Sequence, residues 1–202
     1  MGVSTITAMA LTVGDRDLRP LSADEVLRMV EAGIISADEP VELLQGVLTR
    51  VSPRSPRHET VKVRLQRWLA RGVADGAHEV RVEAPILVPD PISLPEPDIA
   101  VVAPGGDPLR HPTTAVLVIE VAVTSLRTDA DVKPTLYAQA GVAELWVVDV
   151  DARCIEVFRQ PRDGSYASRR SVGHDGVVEA LHVAAEPLGV ADLLAGLDAA
   201  GR

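Results

Sequence analysis

The sequence predicts a mixed α/β fold, a central sheet with helices on its faces. Two observations carry this expectation. Helical and strand patterns alternate along the chain, in the order helix, hairpin, helix and a block of strands. Later, the apolar run "AVLVIEVAV" (115–123), a helical segment and a second apolar run, "AELWVVDVD" (143–151), make a βαβ unit. Its long connection favours parallel pairing with a right-handed crossover.

Residues 1–20 read as a flexible lead, weakly apolar and without the basic n-region of a signal peptide. Residues 21–198 read as a single domain, a length that one core can serve. "LSADEVLRMVEAG" is a helix, with Ser22 as N-cap, Glu25 completing a capping box and Gly33 as stop. "VELLQGVLTRVS" sets β-branched and aliphatic residues on either side of Gly46, an early hairpin. In "SPRSPRHETVKVRLQRWLARG", Val61, Leu65, Trp68 and Leu69 recur at helical spacing, and Gly72 ends the run. "HEVRVEAPILVPD" and "PDIAVVAP" are strands separated by a Pro-rich turn. "PGGDP" lacks the spacing and following helix of a phosphate-cradling loop and reads as a turn. "TDADVKPTLYAQAGV" is a helix with Pro134 in its first turn, where a missing N–H costs nothing. "RCIEVFRQ", reached through a tight Asp-Ala-Arg turn, and "YASRRSV" add strands, and "VADLLAGLDAAGR" closes the chain as a short helix.

Composition narrows the function classes. Hydrophobic residues make up 47% of the 202 residues, too many for an intrinsically disordered protein. Aromatic residues are only 2%, which removes the platforms of a single-strand stacking protein. A net charge of −9 argues against simple electrostatic binding of nucleic acid, but not against an enzyme whose carboxylates hold divalent cations. Cys154 has no partner, which excludes a disulfide within the chain and suits a reducing cytosol. Its thiol reads as a small buried hydrophobe. No run approaches the roughly 18 apolar residues of a membrane helix.

Two acids stand out against this pattern. Asp98 follows Pro97 at the head of "DIAVV", and Glu120 interrupts "AVLVIEVAV". A carboxylate in an apolar strand is costly unless it is paired, protonated or bound to a cation. Strand alternation sends Glu120 and Ala122 to one face and Val121 to the other. If the two strands pair, the link "APGGDPLRHPTT" is long enough to bring both carboxylates to one edge, where oxygen donors suit Mg²⁺ or Mn²⁺. The alternative is two buried acids satisfied by hydrogen bonds.

"PD" at 97–98, an acid within a strand at 120 and a nearby lysine resemble the PD-(D/E)xK phosphodiesterase superfamily, with its restriction-endonuclease-like fold. The strings "ELLQGVLTRVSPRSPRH", "PDIAVV" and "VLVIEVAVTSLRTDADVKPTLYAQAGVAELWVVD" are together similar to a large bacterial family described as putative restriction endonucleases, long carried as a domain of unknown function. The resemblance implies a metal-dependent nuclease core in which Asp98, Glu120 and the backbone carbonyl of Val121 hold the metal. The lysine usual two residues after the glutamate is here Ala122. Lys133, one turn after Asp129 in the following helix, would take its role; the plainer reading is a solvated Asp129–Lys133 ion pair. Glu42 matches the glutamate before the family's first hairpin, as an added ligand or base, or as an ordinary edge-strand acid. Where relatives often have a glutamate after the glycine, this chain has Val47. His58 matches the histidine opening the second helix, as cap, hydrogen-bond partner or phosphate contact. Tyr137 packs over Lys133 or in the core, and Trp146 also fits the family. Arg54, Arg57, Lys62, Arg64 and Arg67 concentrate basic charge beside His58, a candidate phosphate-contacting face or else a solvated one.

The expected function is a cytoplasmic Mg²⁺-dependent endonuclease acting on DNA, or on RNA. A homodimer is expected because cutting both strands calls for two sites. The competing class is a non-catalytic dimeric scaffold or regulatory protein that keeps the nuclease fold, favoured by Ala122 and the acidic balance. A closed pocket too narrow for a duplex would favour a small phosphoester substrate.

Overall fold

Local chemistry starts each element. The computed structural model describes residues 12–13, 16–51, 55–73, 76–123 and 127–197. Strands β1 (Thr12–Val13) and β2 (Arg16–Asp17) pair with each other ahead of α1 (Ala23–Glu31). Helix α1 opens on the expected reciprocal box: Glu25 N–H donates to Ser22 Oγ, and Ser22 N–H donates to Glu25 Oε2. Strands β3 (Val41–Leu44) and β4 (Val47–Arg50) form the early hairpin, with positive φ at both turn residues, Gln45 and Gly46. Val26 and Ile35 cluster against Leu43 of this hairpin.

Helix α2 (Pro56–Gly72) has Ser55 as N-cap and proline in its first turn. Gly72 is its last residue, and its role is close packing, since a Cβ there would collide with Cα and Cβ of Ala185. Gly72→Ala is expected to lower stability by about 1–3 kcal/mol, read from the urea midpoint. An unchanged midpoint would mean that the Ala185 segment yields freely.

Strands β5 (Glu79–Val82), β6 (Ile99–Val102) and β7 (Leu117–Ala122), helix α3 (Arg127–Gln139), and strands β8 (Glu144–Asp149), β9 (Cys154–Arg162) and β10 (Ser165–Val172) build the core. The six strands form one mixed sheet in the order β10-β9-β8-β7-β6-β5. β7 and β8, joined through α3, pair parallel, and the other neighbours pair antiparallel. Alternation divides the side chains between two layers. Ile99, Val101, Leu117, Ile119 and Val121 cluster with Val61, Leu65 and Leu69 of α2, and Trp146 stacks on Trp68 at 5.4 Å. Ala100, Val102, Val118 and Leu145 cluster with Tyr137 of α3. β11 (Val177–Val178) pairs with β12 (Leu188–Gly189), and the four-residue α4 (Val190–Leu193) follows. No helix among the described residues is long and apolar enough to cross a membrane.

Two local expectations need correction. Helix α3 begins at Arg127, so Pro134 lies in its interior rather than its first turn. There it removes a hydrogen bond and crowds the preceding turn, at a cost of about 3 kcal/mol. Burial of Leu136, Tyr137 and Ala138 just beyond it offsets that cost. Strand β9 extends through Arg162, and its link to β10 is Asp163–Gly164, both at positive φ. The Asp-Gly dipeptide was the available signal.

Candidate active site

Register decides where the two acids meet. Ile99 pairs with Ile119 across antiparallel β6 and β7, so Asp98, one residue before β6, comes level with Glu120. Asp98 is 8% exposed, and its Oδ2 accepts the Val121 backbone N–H at 2.7 Å. From the first turn of α2, His58 brings Nε2 to 3.1 Å from Asp98 Oδ1 and 3.2 Å from Oδ2. Its Nδ1 lies 3.4 Å from Glu59 Oε1, a charge contact that leaves this buried nitrogen without a hydrogen bond among the described residues.

Glu120 engages α3. Its Oε1 accepts the Tyr137 hydroxyl at 2.6 Å and the Lys133 ammonium at 3.2 Å. Lys133 Nζ also lies 3.0 Å from Glu42 Oε1, which accepts the Glu96 N–H at 2.7 Å. Glu42 from β3, Glu120 from β7 and Lys133 and Tyr137 from α3 therefore converge, and the fold brings Glu42 to Lys133 across 133 − 42 = 91 positions of chain.

Burial shapes the protonation of this group. Burial pushes Asp98 up, but the His58 bond and charge and the Val121 N–H outweigh it and hold the carboxyl below its ordinary value. Burial pushes Glu120 up to about 7, reinforced by the charges of Asp98 and Glu42 and opposed by Lys133. Burial alone would lower Lys133, yet Glu120 and Glu42 raise it above the ordinary lysine value. The Tyr137 hydroxyl is raised by burial and by Glu120, so it remains a donor. Burial lowers His58, but Asp98 more than compensates.

Glu120 gives a pH prediction for the metal-free protein. Its folded value lies above its unfolded one, so the stability it lends is complete below about pH 4.5 and is lost as pH rises through about 7. In EDTA, Glu120→Gln is expected to gain on the order of 3 kcal/mol over wild type between about pH 4.5 and pH 8. A difference in melting temperature that does not change with pH would show that Glu120 ionises freely.

The basic run does not present one free face. Arg57 donates to Asp151 at 2.6 Å and to the Leu197 carbonyl at 3.1 Å. Arg64 donates to the carbonyls of Leu193 and Ala195. Lys62 is only 5% exposed and is held by Glu59 and Glu83, whereas Arg67 is exposed. Helical geometry winds these positions around α2, where acids and carbonyls take them up. Arg54 and the Asp129 side chain, with its pairing to Lys133, lie outside the described residues.

Sequence reasoning passed over Glu144. It is wholly buried and accepts from Trp146 Nε1 at 2.8 Å, Arg159 Nε at 2.8 Å, Arg159 Nη2 at 2.6 Å and Leu181 N–H at 2.9 Å. The available signal was an acid heading an apolar strand, with an arginine placed to pair across the next hairpin. Cys154 is half-buried, and burial raises its thiol, so it stays protonated.

Among the described residues no group of three or more His, Cys, Asp and Glu side chains is gathered to hold a metal ion. Mg²⁺ does not require one, because it commonly takes one or two carboxylates and keeps its waters. Asp98 and Glu120 are hard oxygen donors of that kind, brought level on paired strands. The donor set fits Mg²⁺ or Mn²⁺.

Comparisons with known proteins agree with this architecture. A putative nuclease belonging to DUF820 from Anabaena variabilis ATCC 29413, solved by crystallography, shares the fold with a TM-score of 0.70. The match is 17% identical and covers 87% of this chain and 98% of that one. Among curated proteins no match is found. The Uma2 family, described as putative restriction endonuclease, matches residues 23–189, which supports a nuclease-like function. With that span matched, the chain belongs to the Uma2 putative restriction endonuclease family.

Proposed function

We propose that the protein is a metal-dependent endonuclease that hydrolyses phosphodiester bonds of DNA, with Asp98, Glu120 and the Val121 carbonyl holding Mg²⁺ or Mn²⁺. The observation that carries this reading is Asp98 level with Glu120 on paired strands, with Lys133 at 3.2 Å from Glu120. A bound divalent cation supplies polarisation of a phosphoryl oxygen and a lowered pKa for a water. The chain's own groups do the rest. His58 and the Val121 N–H keep Asp98 ionised and oriented. The Tyr137 hydroxyl fixes Glu120. Lys133 keeps its proton and offers positive charge where negative charge develops on the phosphoryl group, the part usually played by a lysine at the position of Ala122. Glu42 holds Lys133 and is the further carboxylate available as ligand or base.

A cytoplasmic setting suits the single unpaired thiol, and cleavage of both strands calls for a homodimer. The test is cleavage of plasmid and single-stranded DNA by purified protein with Mg²⁺ or Mn²⁺, beside EDTA and Asp98→Ala controls. Cleavage lost in both controls supports the reading, and cleavage that persists in EDTA overturns it. The second reading, a non-catalytic scaffold, is favoured by Ala122 and by a net charge of −9. It gains ground if neither cation supports cleavage and calorimetry finds no Mn²⁺ binding.

A further inference from the structure

We propose that Lys62 is a positioning residue for Asp98, acting through two arms that reach the backbone and the side chain of that acid, and that it does not contact phosphate. This inference deepens the nuclease reading and rests on it.

Lysine is rarely buried unless it is paired, and Lys62 is buried between two acids. Its Nζ lies 2.8 Å from Glu59 Oε1 and bonds Glu83 Oε1. The first arm runs through Glu83, which directly follows β5. Glu83 N–H donates to the Asp98 carbonyl at 3.2 Å, and Glu83 has φ of +50°, a left-handed conformation that a non-glycine residue holds only when its surroundings impose it. The ion pair with Lys62 supplies that constraint. The second arm runs through Glu59, whose Oε1 lies 3.4 Å from His58 Nδ1, while His58 Nε2 reaches the Asp98 carboxylate at 3.1 Å.

Lys62 is thus the junction of a ring of contacts from α2 through the end of β5 to the head of β6 and back, closed between Glu59 and His58 by a charge contact at 3.4 Å rather than by a hydrogen bond. A residue held at its carbonyl and at its carboxylate has one orientation, which is what a ligand or catalytic carboxylate requires. A phosphate contact would instead need an ammonium directed at solvent. Here the ammonium is buried and bonds Glu59 and Glu83.

The test uses the full chain with Lys62→Met and Glu83→Gln, the second keeping a hydrogen-bonding side chain should the first fold poorly. Three readouts are taken. In metal-free protein, the His58 ring nitrogen resonances are expected to move from their wild-type shifts in Lys62→Met. Mn²⁺ affinity by calorimetry is expected to weaken about tenfold in both variants. Turnover is expected to fall about tenfold with KM for DNA within about twofold, and the salt dependence of DNA binding in EDTA is expected to keep its slope.

Three results overturn the proposal. A salt slope shallower by about one, with KM raised and kcat intact, would make Lys62 a phosphate contact. Unmoved His58 resonances in Lys62→Met would break the ring. A lower melting temperature with Mn²⁺ affinity and kcat at wild-type levels would make the pair merely structural. If wild type neither binds Mn²⁺ nor cleaves DNA, the nuclease reading fails by itself, and the His58 resonances decide the ring: moved, they support it; unmoved, they overturn it.

Discussion

Asp98→Ala is expected to lower metal-dependent DNA cleavage by roughly a thousandfold, a loss of about 4 kcal/mol of transition-state stabilisation. Mn²⁺ binding by calorimetry should be lost with it. The reason lies in how this carboxylate is held. It is the acid that His58 and the Val121 N–H orient, and Glu120 stands opposite it in the register. Glu120→Ala should have the same effect on Mn²⁺. Circular dichroism should match wild type in both, because the apolar layers on either side of the sheet do not depend on these carboxylates. Retained Mn²⁺ affinity in either variant would move the metal away from this pair. Lys133→Ala separates binding from turnover: it should keep Mn²⁺ and lose cleavage, and unchanged cleavage would leave Lys133 a structural counter-charge to Glu42 and Glu120.

The largest stability effect is expected away from this cluster. Arg159→Met should destabilise the protein by about 3–5 kcal/mol, because it leaves the buried Glu144 charge without its cation. In a chain of this size that lowers the melting temperature by roughly 10 °C. The other donors to Glu144, Trp146 Nε1 and Leu181 N–H, cannot neutralise it. Glu144→Gln combined with Arg159→Met should recover most of the loss, since removing the charge removes the penalty. A double variant no better than the single would assign the loss to Arg159 packing and its bond to the Glu179 carbonyl.

The fold was legible wherever one local rule met no opposition. Ser22 and Glu25 mark a helix start because the orphan N–H groups of a first turn need those acceptors. Gly46 marks a turn between two apolar runs, and the βαβ pattern at 115–149 implied the parallel β7–β8 pair. Pro134 lies inside α3 rather than in its first turn because the helix begins at Arg127, a start that the surrounding sequence leaves open.

The candidate site divides the same way. From the sequence alone came the two acids, since a carboxylate in an apolar strand needs a reason and antiparallel pairing can set Asp98 level with Glu120. Lys133 came from the family resemblance, which implies that a lysine of the following helix takes the part missing at Ala122. Only the tertiary structure decided what each charge touches. It set His58 on Asp98, brought Glu42 from the first hairpin to Lys133, and buried Lys62 between Glu59 and Glu83. It also joined Glu144 to Arg159 in the wholly buried end of β8. Periodicity reports which face of an element a residue occupies, whereas ion pairing depends on which faces of distant elements are pressed together, and that is set when the sheet and helices close around a common core.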